Sequence, residues 1–209
     1  LEGLRDGVYD ATPEQIDLVL DESHKLGRLV DDLRLLTLAE AGQLPLDLQP
    51  LDVPQLLADV RDVFTTQADE AGVTVGTTET ESLPPLVADP QRLGQVLGNL
   101  VTNGLRHTPP GGEISLGAEL VPDGELRLWV ADSGEGIPPE DLPRIFDRFW
   151  RADPARSHGA GAGMGLGLAI AKGLVEAHGG RIWAESEVGA GTTISCIFPQ
   201  TSSSTGELA

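Results

Sequence analysis

Between Glu14 and Glu40 apolar residues return at Ile16, Val19, Leu26, Val30 and Leu33, with Ser23, Thr37 and Glu40 on the same three-four spacing and Leu29 and Leu36 as a flanking stripe. This period predicts one long amphipathic helix with a heptad seam, wide enough to pack in a helical hairpin or a dimeric bundle. Thr12 and Pro13 supply an N-cap and a first-turn proline. Leu1 to Val8 reads as the tail of a preceding helix, and Gly42 to Pro54, with its three prolines, as a linker. Helical spacing resumes over Val53 to Glu70 at Leu56, Leu57, Val60, Val63 and Phe64, and Val73 to Val75 and Leu83 to Ala88 read as short strands.

Asp89 and Pro90 then cap a helix over Gln91 to His107. At 100° per residue Leu93, Leu97, Leu100, Val101 and Leu105 make one broad apolar face, and Arg92, Gln95, Asn99, Asn103 and Arg106 share a narrow arc opposite. A solvent-facing stripe is ordinarily rich in Glu and Lys. Two asparagines and two arginines suit a place where neutral oxygens and cations meet a polyphosphate, although a plain polar surface gives the same pattern. Alternation predicts strands at Glu113 to Leu120 and Glu125 to Ala131, joined by a Pro122-Asp123-Gly124 turn, and closing strands at Arg181 to Glu187 and Thr192 to Pro199. A helix over Gly165 to His178 precedes the last pair.

Five alternating glycines, Gly159, Gly161, Gly163, Gly165 and Gly167, lead into that last helix. Such a run permits close backbone approach and, at a helix start, offers N–H groups to phosphate. It has neither the G-x-G-x-x-G spacing nor the Gly-Lys-Ser/Thr ending of the two common phosphate loops, so a flexible linker stays open on this evidence alone. Asp132-Ser-Gly134-Glu-Gly136 ends a strand with a carboxylate that can accept a hydrogen bond from an exocyclic amine such as that of adenine. Phe146, Phe149 and Trp150 gather in a chain with few aromatics, ahead of a polar, glycine-rich stretch with the composition of a lid.

A formal charge of −19, from 33 acidic and 14 basic residues, argues against a nucleic-acid partner and against docking on anionic lipid. The single cysteine, Cys196, sits in an alternating run and reads as a small core residue in a reducing compartment. No apolar run approaches the roughly 20 residues of a membrane span. His24 has no adjoining carboxylate and reads as a surface or seam residue.

Laid out in order, NLVTNGLRHTP (99–109), DSGEGIP (132–138), RIFDRFWRAD (144–153), GMGLGLAI (163–170) and GAGT (189–192) resemble the N box, first glycine box, phenylalanine box, second glycine box and closing glycine turn of sensor histidine kinases. Each motif is weak or moderate; the ordered set is highly specific. The resemblance implies an α+β fold, a Bergerat-type α/β sandwich whose mixed sheet is covered by helices on one face, preceded by a helical hairpin remnant. It divides the chain into a partial dimerisation and phosphotransfer hairpin (1–51), an ATP-binding domain (52–200) and a disordered tail (201–209).

By the same resemblance Asn103 coordinates Mg²⁺, with Asn99 close to the phosphates of ATP and Arg106 and His107 on the phosphate side. Asp132 reads the adenine amine, with Gly134 and Gly136 letting the base approach, and Ile137 and Thr192 are further nucleotide-binding residues. Gly163, Gly165, Leu166, Gly167 and Leu168 form the lid hinge and helix start, Phe146 and Phe149 anchor the lid, and Arg151 faces the γ-phosphate or the acceptor helix. Asn99, Arg106 and Arg151 are the candidate catalytic residues.

The implied activity is protein-histidine kinase, with a response regulator receiver domain and the parent kinase's phosphoacceptor histidine as partners and a possible homodimer through the N-terminal helices. No acceptor histidine followed by Glu or Asp occurs at His24, His107, His158 or His178. The expectation is therefore a fragment beginning after the acceptor and unable to phosphorylate itself, soluble and cytoplasmic, from a parent in the bacterial inner membrane. Two alternatives stay open. ATP-hydrolysing relatives carry a general-base Glu where this chain has Asn99, which argues for slow hydrolysis. A nucleotide-sensing module without transfer is the other.

Overall fold

Thr12 Oγ1 accepts the Gln15 N–H at 3.4 Å while the Gln15 side chain reaches back to the Thr12 N–H, a capping box that starts helix α1 (Pro13–Glu40) where the sequence places it. The computed structural model describes residues 12–78, 83–151 and 164–200. The helix expected over Leu1 to Val8, the glycines from 159 to 163, and the tail from 201 lie outside the described residues.

After α1 come β1 (Gln49–Leu51), α2 (Val53–Ala71), β2 (Thr74–Thr77), β3 (Leu86–Ala88), α3 (Pro90–His107), β4 (Glu113–Leu120), β5 (Leu126–Asp132), a short 3₁₀ turn (Leu142–Arg144), α4 (Gly167–Ala177), β6 (Arg181–Glu187) and β7 (Gly191–Phe198). Five strands form one sheet in the order β2-β4-β5-β7-β6. β2 runs parallel to β4, which its long connection through β3 and α3 allows, and the other neighbours are antiparallel. The sheet is mixed, as the resemblance implied.

One parity of each strand faces the helices. Ile114, Leu116, Leu126, Leu128, Ile194, Cys196 and Phe198 are buried there against Leu97, Leu100, Val101, Leu174 and Val175 of α3 and α4. Burial pushes the Cys196 thiol up to about 12, so it behaves as a small apolar residue. On the opposite face the Arg127 guanidinium lies 5.6 Å from the ring centroids of both Trp129 and Trp183 and donates to Ser195 Oγ at 2.9 Å.

Residues 42–54 depart from the linker expectation. Gln49 to Leu51 pair antiparallel with Ala88 to Leu86, and Asp52 caps α2 through the Gln55 N–H at 3.1 Å. Three residues containing a proline carry no readable alternation, and the partner strand lies far along the chain. Asp89 ties this region down. Its carboxylate accepts the N–H of Arg92 at 3.1 Å, capping α3, and of Asp47 at 3.0 Å, while its own N–H donates to His178 Nε2 at 3.1 Å. Burial alone would raise the Asp89 carboxyl, but the N–H groups of Asp47, Arg92 and Gln91 outweigh it and hold it below its ordinary 3.8.

Helix α1 divides its apolar positions between two roles. Leu35 and Leu36 are buried in the main core, and Ala39 and Leu36 pack on Gly173 of α4. Glu40 forms an ion pair with Arg148. The expected seam is open: Leu26 and Val30 are 62% and 64% exposed, and Ile16, Val19 and Leu33 are exposed too. His24 is exposed on the same helix.

Candidate nucleotide-binding site

α4 packs alongside the polar stripe of α3, so that Arg92, Gln95, Asn99 and Asn103 are half-buried while Arg106 stays exposed. Asn99 Nδ2 donates to the Gly167 carbonyl at 3.1 Å, fixing the first turn of α4 against α3. Asn103, one turn on and on the same face, is half-buried, and its amide makes no hydrogen bond with the described residues. Arg106 follows in the last turn. Lost hydration and, secondarily, the Arg151 guanidinium push Arg106 below its ordinary value. At the far end Arg92 and Gln95 bond each other at 3.3 Å and stand apart from this group.

Asp132 sits at the inner end of β5 beside α3, where a Cβ added to Gly104 would lie 3.5 Å from its own Cβ. Burial is the main influence on its carboxyl and raises it above 3.8; the N–H groups of Gly134 and Thr192 and the charge of His107 pull partly the other way. The loop after it lies on the last turn of α3: Glu135 N–H donates to the His107 carbonyl at 3.2 Å, and His107 Nδ1 meets Glu135 Oε1 at 2.9 Å. His107 is thus engaged with this loop. Gly134 and Gly136 have a reason beyond letting a base approach. A side chain at 134 would stand 2.5 Å from the His107 carbonyl, and Gly136, at φ +71°, abuts the Glu187 carbonyl.

On the third side, the expected anchors separate. Ile145 is buried and Phe146 packs on the core, whereas the Phe149 ring is 57% exposed at φ +59°. Phe149 is held by its backbone, whose N–H donates to the Gly165 carbonyl at 2.9 Å, while the Phe146 ring packs on the core. Gly165 has φ +70°, and a Cβ there would lie 2.7 Å from the Trp150 carbonyl. Gly167 has room for one, its nearest neighbours being Asn99 atoms at 3.8 Å. Close packing is required at 165 and not at 167, against the phenylalanine-box backbone. Leu166 is buried and Leu168 packs on the core, so these two support the site from behind. The start of α4 has no side-chain cap, which leaves its first N–H groups for a ligand. Gly163 is outside the described residues.

Asn99, Asn103, Arg106, Asp132, Thr192, Gly165 and Gly167 thus border one region between α3, the end of β5 and the start of α4. Among the described residues no three His, Cys, Asp or Glu side chains gather to hold a metal by themselves. Asn103 offers a single neutral oxygen, which fits an ion such as Mg²⁺ whose other ligands are phosphate oxygens and water. Ser186, not singled out from the sequence, also belongs to this region: it receives the Ile137 N–H at 2.8 Å and meets Thr192 Oγ1 at 2.8 Å. Its signal was parity, a polar residue in step with inward-facing Ile182 and Ala184.

Comparison with known proteins places this geometry. The sensor protein DivL of Caulobacter vibrioides is 37% identical over 196 residues, covering 94% of this chain; the chain spans only 24% of the length of DivL. Full-length ShkA in complex with AMPPNP superposes with a TM-score of 0.79 at 31% identity, over 93% of this chain and 40% of that one. Histidine kinase ThkA in complex with the response regulator protein TrrA gives 0.67 at 25% identity, over 91% of this chain and 53% of that one. Residues 88–202 match the family described as histidine kinase-, DNA gyrase B- and HSP90-like ATPases, and the chain belongs to that family, in its sensor histidine kinase branch.

Proposed function

We propose that the chain binds Mg-ATP in the region bordered by α3, Asp132 and the start of α4, and transfers the γ-phosphate to a histidine outside these 209 residues, for relay to a response regulator aspartate. Asp132 accepts the adenine amine, with Thr192 and the loop through Gly134, Gly136 and Ile137 forming the floor. Asn103 holds Mg²⁺, which neutralises phosphate charge when bound. Arg106 and Arg151 clamp the phosphates, and the uncapped N–H groups of α4 receive them. Catalysis then consists chiefly of positioning and charge stabilisation.

The observation that carries this reading is the uncapped start of α4, held beside the Asn99–Asn103–Arg106 stripe of α3 by the Asn99–Gly167 hydrogen bond. Unclaimed N–H groups at a helix start, with neutral amides and a guanidinium alongside, suit the oxygens of a polyphosphate. The bound AMPPNP of ShkA and the TrrA partner of ThkA support the ligand and the relay. Steady hydrolysis is disfavoured, because the Asn99 amide is committed to Gly167 and takes no proton from water. Residues 52–200 act as the nucleotide half and α1 as part of a dimerising hairpin, on the cytoplasmic side of a parent in the inner membrane. Among the described residues no helix is long and apolar enough to cross a membrane.

Calorimetry with ATP, with and without Mg²⁺, tests the first step: wild type binds, and Asn103→Ala loses the metal-dependent part alone. Labelled ATP mixed with this chain and a separate helix carrying a His-Glu acceptor tests the second. Label moves to the histidine; a folded, nucleotide-bound chain that transfers none overturns the kinase reading.

A further inference from the structure

Strand register lines up Asp132 of β5, Thr192 of β7 and Ser186 of β6 as direct neighbours in one row. Their side chains share the helix-facing side of the sheet, the side of the candidate site. The row ends in a hydroxyl pair whose protons can be assigned by counting.

Ser186 Oγ lies 2.8 Å from the Gly191 carbonyl, 2.8 Å from Thr192 Oγ1, and 2.8 Å from the Ile137 N–H. A hydroxyl has one proton and two lone pairs. The carbonyl can only accept, so the Ser186 proton goes to Gly191. The Ile137 N–H can only donate, so it occupies one Ser186 lone pair. The Thr192 contact is then a hydrogen bond from Thr192 O–H to the other lone pair. The Thr192 proton is consumed on the side away from Asp132, and the oxygen is left with lone pairs alone for a ligand. Thr192 is buried, so water is a poor competitor for this arrangement.

Next to it, the Asp132 carboxylate takes the Gly134 N–H at 2.9 Å. Both functional groups of the row are therefore acceptors with no proton to give. An amine on the purine six-position finds two acceptors there; a carbonyl in the same place finds lone pairs facing lone pairs.

We propose that Ser186 is a positioning residue for base specificity: by fixing the direction of the Thr192 hydroxyl it keeps the floor acceptor-only, so that a 6-amino purine triphosphate is selected over a 6-oxo one. Ser186 does not itself touch the base. It also pins the Asp132–Ile137 loop through the Ile137 N–H, so one side chain sets both the loop position and the hydroxyl polarity. This inference rests on the ATP reading above and adds to it the residue that enforces the choice of base.

Without the Ser186 hydroxyl, Thr192 O–H is free to rotate and donate to a 6-carbonyl. A buried acceptor–acceptor clash becomes a hydrogen bond, and discrimination by a buried polar group is the kind that reaches large ratios. The test compares ATP with inosine triphosphate, in which the amine becomes a carbonyl and the adjoining N1 carries a proton, by calorimetry on wild type, Ser186→Ala, Ser186→Thr and Thr192→Val. Wild type prefers ATP at least tenfold. Ser186→Ala loses at least fivefold of that preference, chiefly by binding inosine triphosphate better. Ser186→Thr, which restores a hydroxyl, restores the preference, and Ser186→Ala made on Thr192→Val leaves the ratio of the Thr192→Val single variant unchanged.

A role in fold stability alone weakens both nucleotides equally and leaves the ratio intact, and that result overturns the proposal. So does a Ser186→Thr variant that folds, as judged by its melting curve, yet stays unselective. Wild type that binds neither triphosphate overturns the ATP reading, and this inference with it. Wild type that binds ATP selectively, with Ser186→Ala equally selective, removes this inference and leaves the ATP reading standing.

Discussion

Asp132 carries a charge in a half-buried position, and two opposed consequences follow from the same burial. Its carboxyl is raised above 3.8 chiefly by lost hydration, so in the ligand-free fold the charged form is penalised above the folded pKa, and the penalty disappears as pH falls through it. Nucleotide binding needs that charged form as acceptor. ATP affinity should therefore begin to fall on acidification at a pH where an ordinary aspartate is still fully ionised. Calorimetry across the mildly acidic range checks this, with Asp132→Asn as the control. The variant should bind more weakly at neutral pH, by about 1.5–3 kcal/mol for a charged hydrogen bond, on the order of ten- to a hundredfold. It should also lose the pH dependence in that range. An unchanged pH profile in Asp132→Asn would remove Asp132 from the base-reading role. The residue was legible in the sequence from its place at a strand end before two glycines. The reason for those glycines was not, since the His107 and Glu187 carbonyls they meet belong to other elements.

At the scale of elements, periodicity exposed nearly every helix and strand, because α3 has one clean apolar face and β4, β5 and β7 alternate over seven or eight residues. β1 escaped for want of length, and the parallel pairing of β2 with β4 has no local signature. The glycine run was legible as a close approach, but its protein neighbours were not: Gly165 meets the Phe149-Trp150 backbone at φ +70°, while Gly167 faces the Asn99 side chain with space to spare. The two positions should respond differently to the same substitution. Gly165→Ala forces a side chain into a left-handed conformation, at about 1–2 kcal/mol, and into the Trp150 carbonyl besides. It should displace the start of α4 and reduce ATP affinity at least tenfold. Gly167→Ala adds a methyl at ordinary contact distance and favours helix, so affinity should stay within about twofold and the melting temperature should hold or rise slightly. Equal losses in both variants, measured by calorimetry and thermal melting, would contradict the division.

Across the whole molecule α1 faces two ways at once, and the energies of its two faces differ. Docking on α4 rests on buried Leu35 and Leu36, each about 1.5–3 kcal/mol when fully removed from water, while the solvent-exposed Glu40–Arg148 pair adds about 0–1 kcal/mol. The rest of the helix leaves Ile16, Val19, Leu26, Val30 and Leu33 in water along one heptad seam. A contiguous apolar stripe of this kind is what a helical partner covers, and the seam's spacing matches a second helix of the same type. Self-association through α1 should therefore appear as a concentration-dependent rise in mass by sedimentation equilibrium. Replacing both Leu26 and Val30 by Glu puts like charges into the centre of that seam and should give a monomer at every concentration. The substituted positions are already exposed in the single chain, and Leu35 and Leu36 stay in place. The monomeric variant should therefore keep its melting temperature within a few degrees and its ATP affinity within about twofold. A wild-type chain that stays monomeric, or a double variant that still associates, would assign the stripe to another partner. A double variant that loses ATP binding together with association would instead place part of the nucleotide site under the control of the dimer, since none of the seam residues borders Asn103, Arg106 or Asp132.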